Sequence, residues 1–87
     1  MLMQKITQAM NGGTQTVYRF HNGYGASVVN HGFSYGTEMA VVKFTGPSIE
    51  DFDICYDTPI TGDVLGHLST ADLDIYLNQI EALPPSI

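Results

Sequence analysis

The sequence predicts an α+β fold, in which an antiparallel four-stranded meander sheet carries a C-terminal helix on one face. Runs of β-branched and aromatic residues separated by turn residues occupy positions 16–57, which is typical of a small antiparallel sheet. Apolar residues then recur at helical spacing from Leu73 to Leu83. Because 87 residues leave room for one hydrophobic core, we expect a single domain over residues 16–87.

Residues 1–15 are predicted to form a leader or a short N-terminal helix. The pair Gly12-Gly13 would end such a helix. An isolated helix of this length is only marginally stable in water, so it would need the domain to pack against. The apolar residues at helical spacing are Leu2, Ile6, Ala9 and Met10.

The first two strands are predicted to form a β-hairpin. Asn22-Gly23 directly follows the β-like run 16–20, and Asn-Gly favours a type I′ turn because both central residues need a positive φ. This turn places Phe20 opposite Gly25, so that an aromatic ring covers a residue without a side chain. Both faces of the hairpin carry apolar residues, so we expect it to be covered on both sides or to lie at an interface.

Two further strands complete the predicted sheet. Residues 39–44, apolar except for Lys43, are predicted to form the third strand, which ends at Gly46-Pro47. In the next strand apolar and polar residues alternate, which predicts one buried and one exposed face. The buried face would carry Phe52, Ile54 and Tyr56, and the exposed face Asp53, Cys55 and Asp57. Beyond it, residues 61–68 are expected to form a short helical turn.

The C-terminal helix is the most strongly indicated element. Ser69 and Asp72 have the spacing of a capping box, in which each residue's side chain bonds the other's backbone N–H. Asp72 and Asp74 also complement the positive end of the helix dipole. Pro84-Pro85 ends the helix.

The charge distribution excludes several classes of partner. The net charge is −6, and residues 46–87 contain eight of the nine carboxylates and no Lys or Arg. Three basic residues cannot neutralise many phosphates, so neither nucleic acid nor an anionic membrane is an expected partner. The acidic half either keeps the protein soluble or meets a partner with a basic surface.

No residue pattern indicates catalysis, a metal site or a cofactor, and we predict a protein that is not an enzyme. The single cysteine, Cys55, fits a reducing cytosol, and neighbouring carboxylates would raise its pKa rather than activate it. His21, His31 and His67 match no zinc-binding pattern. The N-terminus lacks a signal-peptide pattern and no window is long enough to span a bilayer, which favours a cytoplasmic protein.

The stretch 17–36 contains five of the nine aromatic residues, which we interpret as core packing with a protein-facing rim. The candidate partner-binding residues are Tyr24, Tyr35, Asp51, Asp53 and Asp57.

Several blocks of the chain resemble a family of small proteins that recurs in tailed bacteriophages and prophages. The resemblance covers about residues 17–83, and its blocks are 22–29, 33–36, 39–42, 56–68 and the helix 73–83. It implies a setting, the cytoplasm of an infected bacterium, and carries over no catalytic or binding residue. The chain departs from the family pattern before Thr16 and in the acidic connection 45–53.

The preferred expectation is an accessory protein that binds a host or defence protein and inhibits a host defence system. One alternative is a self-associating structural module, in which the hairpin completes the sheet of a homodimer. A second alternative is a small histidine-dependent enzyme or metal protein that uses His31 or His67 with Asp57.

Overall fold

The computed structural model describes residues 2–10, 12–31, 36–60 and 64–85. These residues form an antiparallel sheet in the order β1-β2-β3-β4-β5, with β6 paired to β4 beside β5. The α+β class is confirmed, but the sheet has six strands where four were predicted. The elements are β1 (Leu2–Met10), β2 (Gly13–Phe20), β3 (Tyr24–His31), β4 (Gly36–Phe44), β5 (Phe52–Ile54), β6 (Leu65–Leu68) and α1 (Thr70–Glu81).

The N-terminal segment is a strand, so the prediction of a leader or a short helix is wrong. β1 pairs with β2 from one end to the other, and Met10 lies opposite Gly13. Gly12, which lies between the two strands, has a φ of 77°. A separation of four residues is even, so Ile6 and Met10 share a face in a strand as well as in a helix. The hairpin is favoured because pairing with β2 gives the backbone of residues 2–10 stable hydrogen bonds, whereas an isolated helix of this length is only marginally stable.

The β2–β3 hairpin is shifted by one residue from the predicted pairing. Arg19, not Phe20, lies opposite Gly25. The N–H of Gly23 donates to the carbonyl of Phe20 over 3.3 Å, and Gly23 has a φ of 89°. The connection therefore has three residues, His21 to Gly23, instead of the two central residues of a type I′ turn. Compared with the predicted two-residue turn, the additional turn residue places each side chain of β3 on the face of the sheet opposite to the one predicted.

Helix α1 packs on the face that this shift creates. Ser69 Oγ accepts the N–H of Asp72 at 3.1 Å and Asp72 Oδ2 accepts the N–H of Ser69 at 3.3 Å, so the predicted capping box is present. Ile80 is the fully buried residue of the helix. The core that it enters is formed by Phe20, Ala26, Val28, Met39 and Val41.

The opposite face of the sheet is covered in part by the loop 45–51. Ile49 is only 7% exposed. Arg19 Nη1 donates to the carbonyls of Pro47 and Ser48 at 3.0 and 3.3 Å. Its guanidinium also lies 4.6 Å from the ring centroid of Phe44. These contacts hold the loop against β2, so the hairpin has cover on both sides there.

The chain beyond the loop differs from the prediction in two places. β5 has three residues, and Ile54 and Tyr56, which were expected to be buried, are 45% and 54% exposed. Cys55, expected on the exposed face, packs against the core, and its N–H donates to the carbonyl of Val41 at 2.8 Å. Residues 65–68 form β6 rather than a helical turn, because Leu65 and Leu68 pair with β4 beneath the helix.

Candidate functional site

Tyr24, one of the two tyrosines proposed for partner contact, lies in the fold rather than projecting from it. It is half-buried and packs against the core beside α1. Its N–H donates to Asn22 Oδ1 at 3.0 Å. Tyr35 falls outside the described residues. The structure therefore makes Tyr24 a packing residue at the edge of the core.

Asp51 shapes the loop 45–51. Its carbonyl accepts the N–H of Thr45 at 2.8 Å and its Oδ2 accepts the N–H of Ser48 at 3.3 Å. The side chain also lies against Gly46, where a Cβ would be 2.7 Å from Oδ2. Asp51 is exposed but is engaged in holding the loop closed.

Asp53 and Asp57 flank the short strand β5. Asp53 pairs across the sheet with Lys43, and both side chains are exposed. Asp57 Oδ1 accepts a hydrogen bond from Cys55 Sγ at 2.9 Å. That hydrogen bond lowers the pKa of Asp57 below its usual value. The pKa of the Cys55 thiol is raised, first by burial and then by the hydrogen bond to Asp57, so the thiol is not an activated nucleophile.

Two apolar side chains of this segment are exposed at the edge of the sheet. Ile54 and Tyr56 form what we call the β5 patch, and they alternate in sequence with Asp53 and Asp57. Asp53 lies opposite Lys43, on the other face of the strand from Ile54. Phe52 is covered by Phe44, with ring centroids 5.6 Å apart in an edge-to-face arrangement. Ile54 is 45% exposed on the same face, so the alternation in this strand correctly places Phe52 and Ile54 together but does not show that Ile54 is left uncovered.

The strand β1 forms a second unusual surface at the other edge of the sheet. All nine of its residues are exposed, and no strand within the described ranges pairs with its outer side. Lys5 Nζ lies 5.2 Å from the ring centroid of Tyr18, which places its charge over β2. We call this surface the β1 edge. Its large exposed apolar side chains are Leu2, Met3, Ile6 and Met10.

Between β1 and the loop 45–51 lies an open groove of about 190 Å³. This volume is smaller than the roughly 300–1,000 Å³ of ordinary small-molecule sites. The amide groups in it bond to one another, since Gln8 Nε2 donates to Gln15 Oε1 and Gln15 Nε2 donates to Ser27 Oγ, each at 2.9 Å. The groove is lined by Ile6, Gln8, Gln15, Val17, Ile49, Glu50 and Phe52.

No group of three or more His, Cys, Asp or Glu side chains in the described part of the chain could hold a metal ion. No helix among the same residues is long and apolar enough to cross a lipid bilayer.

Comparisons with protein-family models, with curated proteins and with solved structures found no match to this chain.

Proposed function

We propose that this chain is a small acidic phage accessory protein that is not an enzyme and acts by binding another protein in the cytoplasm of the infected bacterium. Its partner is a host or defence protein with a basic surface, and inhibition of a host defence system is the most specific form of the proposal. The phage setting is supported by the resemblance of the blocks between residues 17 and 83.

The observation that carries the proposal is the exposure of Tyr56 and Ile54 at an edge of the sheet where they alternate in sequence with two exposed carboxylates. Tyrosine is enriched among the residues that dominate binding energy, because its large rigid ring loses little conformational entropy. An exposed apolar pair at a sheet edge is also a feature that protein partners commonly cover. The β5 patch thus offers an anchor for a partner.

The charge around the anchor determines the chemistry of that partner. Asp53 and Asp57 are exposed beside the β5 patch in the sequence, Asp53 on the other face of the strand from Ile54, and Asp51 lies just before the patch in the loop. Charges at the rim of an interface accelerate association with a surface of opposite sign and exclude partners of like sign. A basic surface, such as a nucleic-acid-binding groove of another protein, is the complement that these carboxylates favour.

The test compares three forms of the chain as bait in infected cells. These are the unmodified chain, Tyr56→Ala, and a control carrying Asp74→Asn and Ile75→Ala on the exposed side of α1. A protein captured by the unmodified chain and the control, but not by Tyr56→Ala, is then purified. We expect Tyr56→Ala to weaken its affinity about 30-fold or more, as a hot-spot residue would.

Salt dependence provides the second readout. Because rim charges act mainly on association, Asp53→Asn with Asp57→Asn should slow association and flatten its dependence on ionic strength. The proposal would be contradicted if Tyr56→Ala captured the same proteins as the unmodified chain. It would also be contradicted if Tyr56→Ala and the pair of Asp→Asn substitutions left the affinity for the purified partner unchanged.

A self-associating structural module remains a second candidate, and the β1 edge is the observation that favours it. A wholly exposed strand of nine residues at the end of a sheet presents unpaired backbone groups that another strand can pair with.

A further inference from the structure

We propose that two copies of this chain pair through the β1 edge as antiparallel strands, around a two-fold axis at Ile6, to form one continuous sheet. This inference is independent of the partner-binding function, because the β5 patch lies at the opposite edge of the sheet. Either proposal can therefore fail while the other stands.

Backbone geometry provides the first argument. Met10 pairs with Gly13 at the end of the ladder, with two residues between them in the sequence, and residues paired in this way exchange both hydrogen bonds with each other. Because bonded and non-bonded positions alternate along an antiparallel pair, Ile6 and Gln8 also bond to β2. The N–H and C=O groups of Lys5, Thr7 and Ala9 are then directed away from β2, toward the open edge. A second copy of β1 offers the same groups in return.

The distribution of charge provides the second argument. A chain with a net charge of −6 repels its own copy unless the contact lies far from the carboxylates. Residues 1–37 contain no Asp or Glu, whereas they contain Lys5 and Arg19. β1 is also separated from β5 by three strands. Glu50 of the loop 45–51 lines the groove beside Ile6, but β1 itself carries no carboxylate, so the β1 edge presents less negative charge to a second copy than the β5 edge does.

Side-chain pairing determines the register. With the axis at Ile6, the Ile6 residues of the two copies face each other. Lys5 of one copy then faces Thr7 of the other, and Gln4 of one copy faces Gln8 of the other. An axis at Lys5 would oppose two like charges, which destabilises a cross-strand pair. The shift between Leu2 and Gln4 in the β1–β2 pairing makes the strand irregular there, so the regular part of the new ladder is 4–8. Such an interface is isologous, as a closed two-fold dimer requires.

The side chains around the axis are suited to this contact. Ile6 is 40% exposed and lines the groove together with Val17 and Ile49. Pairing would bring the two Ile6 side chains together and extend this apolar lining from one copy into the other. Burial of apolar area in this way favours association.

Sedimentation equilibrium tests the dimer. We expect the unmodified chain to be a dimer and Ile6→Lys to be a monomer, because the substitution places two ammonium groups opposite each other across the axis. The matched control is Ile75→Lys, which makes the same change at an isoleucine that is 55% exposed on α1 and should leave the dimer intact. An unmodified chain that stays monomeric up to about 1 mM, or a dimer that survives Ile6→Lys, overturns the proposal.

Cysteine cross-linking tests the register without requiring any variant to dissociate. In a Cys55→Ser background, Ile6→Cys should form a disulfide-linked dimer under mild oxidation. Directly opposed non-bonded residues have Cα atoms about 4.5 Å apart, within the range that a disulfide spans. Gln8→Cys alone should not cross-link, whereas it should cross-link to Gln4→Cys when the two variants are mixed. Equal cross-linking by Gln8→Cys alone would exclude this register.

Discussion

The side-chain amide of Asn22 donates a 2.8 Å hydrogen bond to the backbone carbonyl of Ile80, which ties the β2–β3 turn to the last turn of α1. The same amide donates to the carbonyl of Leu83 at 3.1 Å, and Asn22 Oδ1 accepts the N–H of Tyr24. The last carbonyls of a helix have no partner within it, and α1 has no basic residue in its last turn. Asn22 therefore stabilises the helix end from the sheet.

Asn22→Asp should destabilise the fold by about 3 kcal/mol, because it replaces a donor with a charge facing helix carbonyls. The measurement is chemical denaturation at neutral pH. Asn30→Asp, which makes the same change at an exposed position of β3, is the control and should stay within about 0.5 kcal/mol of the unmodified chain. If Asn22→Asp and Asn30→Asp lowered the free energy of unfolding equally, the hydrogen bonds from Asn22 to the helix end would not be contributing to stability.

Gly25 lies where β2 and the ring of Phe44 leave no room for a side chain. A Cβ at this position would be 1.9 Å from the Tyr18 carbonyl oxygen and 2.7 Å from Phe44 Cε2. Because a backbone atom must move, Gly25→Ala should destabilise the fold by about 3 kcal/mol or more.

The control for this substitution is Gly66→Ala, where the nearest atom, Glu38 Cγ, is 3.9 Å from the added carbon. It should be neutral or stabilise the chain by about 0.4–1 kcal/mol, because alanine restricts the unfolded state. Thermal unfolding of both variants measures the difference. A Gly25→Ala protein as stable as Gly66→Ala would contradict the close approach.

Ile80 anchors α1 to the sheet, and its side chain is fully buried. Ile80→Ala should lower the free energy of unfolding by about 2–5 kcal/mol, through lost burial and the cavity that remains. Ile75→Ala is the matched control, since Ile75 is 55% exposed on the same helix. Ile75→Ala should change the free energy of unfolding by no more than about 0.5 kcal/mol, as most surface substitutions do. Similar costs at both positions would place the helix in a different orientation on the sheet.

The pair formed by Cys55 and Asp57 predicts a pH dependence of thiol reactivity. Burial and the hydrogen bond to Asp57 raise the pKa of Cys55, so the reactive thiolate forms only at higher pH than for a free cysteine. Removing the carboxylate removes a negative charge that opposes ionisation. In Asp57→Asn, the pH profile of Cys55 alkylation by iodoacetamide should therefore shift to lower pH.

Asp53→Asn controls for the general loss of a carboxylate, since Asp53 is not hydrogen-bonded to the thiol in the described contacts and pairs with Lys43. It should shift the alkylation profile less than Asp57→Asn does. Identical profiles for Asp57→Asn and the unmodified chain would show that the contact with Cys55 is not maintained in solution.

The helix and the candidate carboxylates illustrate what local sequence determines. The Ser69 and Asp72 capping box and the apolar stripe of α1 act over a few residues, so their pattern is sufficient to place the helix. Asp53 and Asp57 were expected to be exposed, and they are. Tyr56 could not be assigned to the surface in this way, because its exposure depends on which segments pack over the sheet and not on its neighbours in sequence.

By itself, the sequence determined the α+β class, the C-terminal helix with its cap and the acid-free first third of the chain, because each depends on composition or on near neighbours. Only the tertiary structure decided the register of the β2–β3 hairpin, where one residue in the turn reverses the faces of β3. It likewise decided that residues 2–10 are an edge strand and that Ile54 and Tyr56 are exposed. These features depend on which strands lie last in the sheet and on which of its surfaces other segments cover, and no local pattern encodes either.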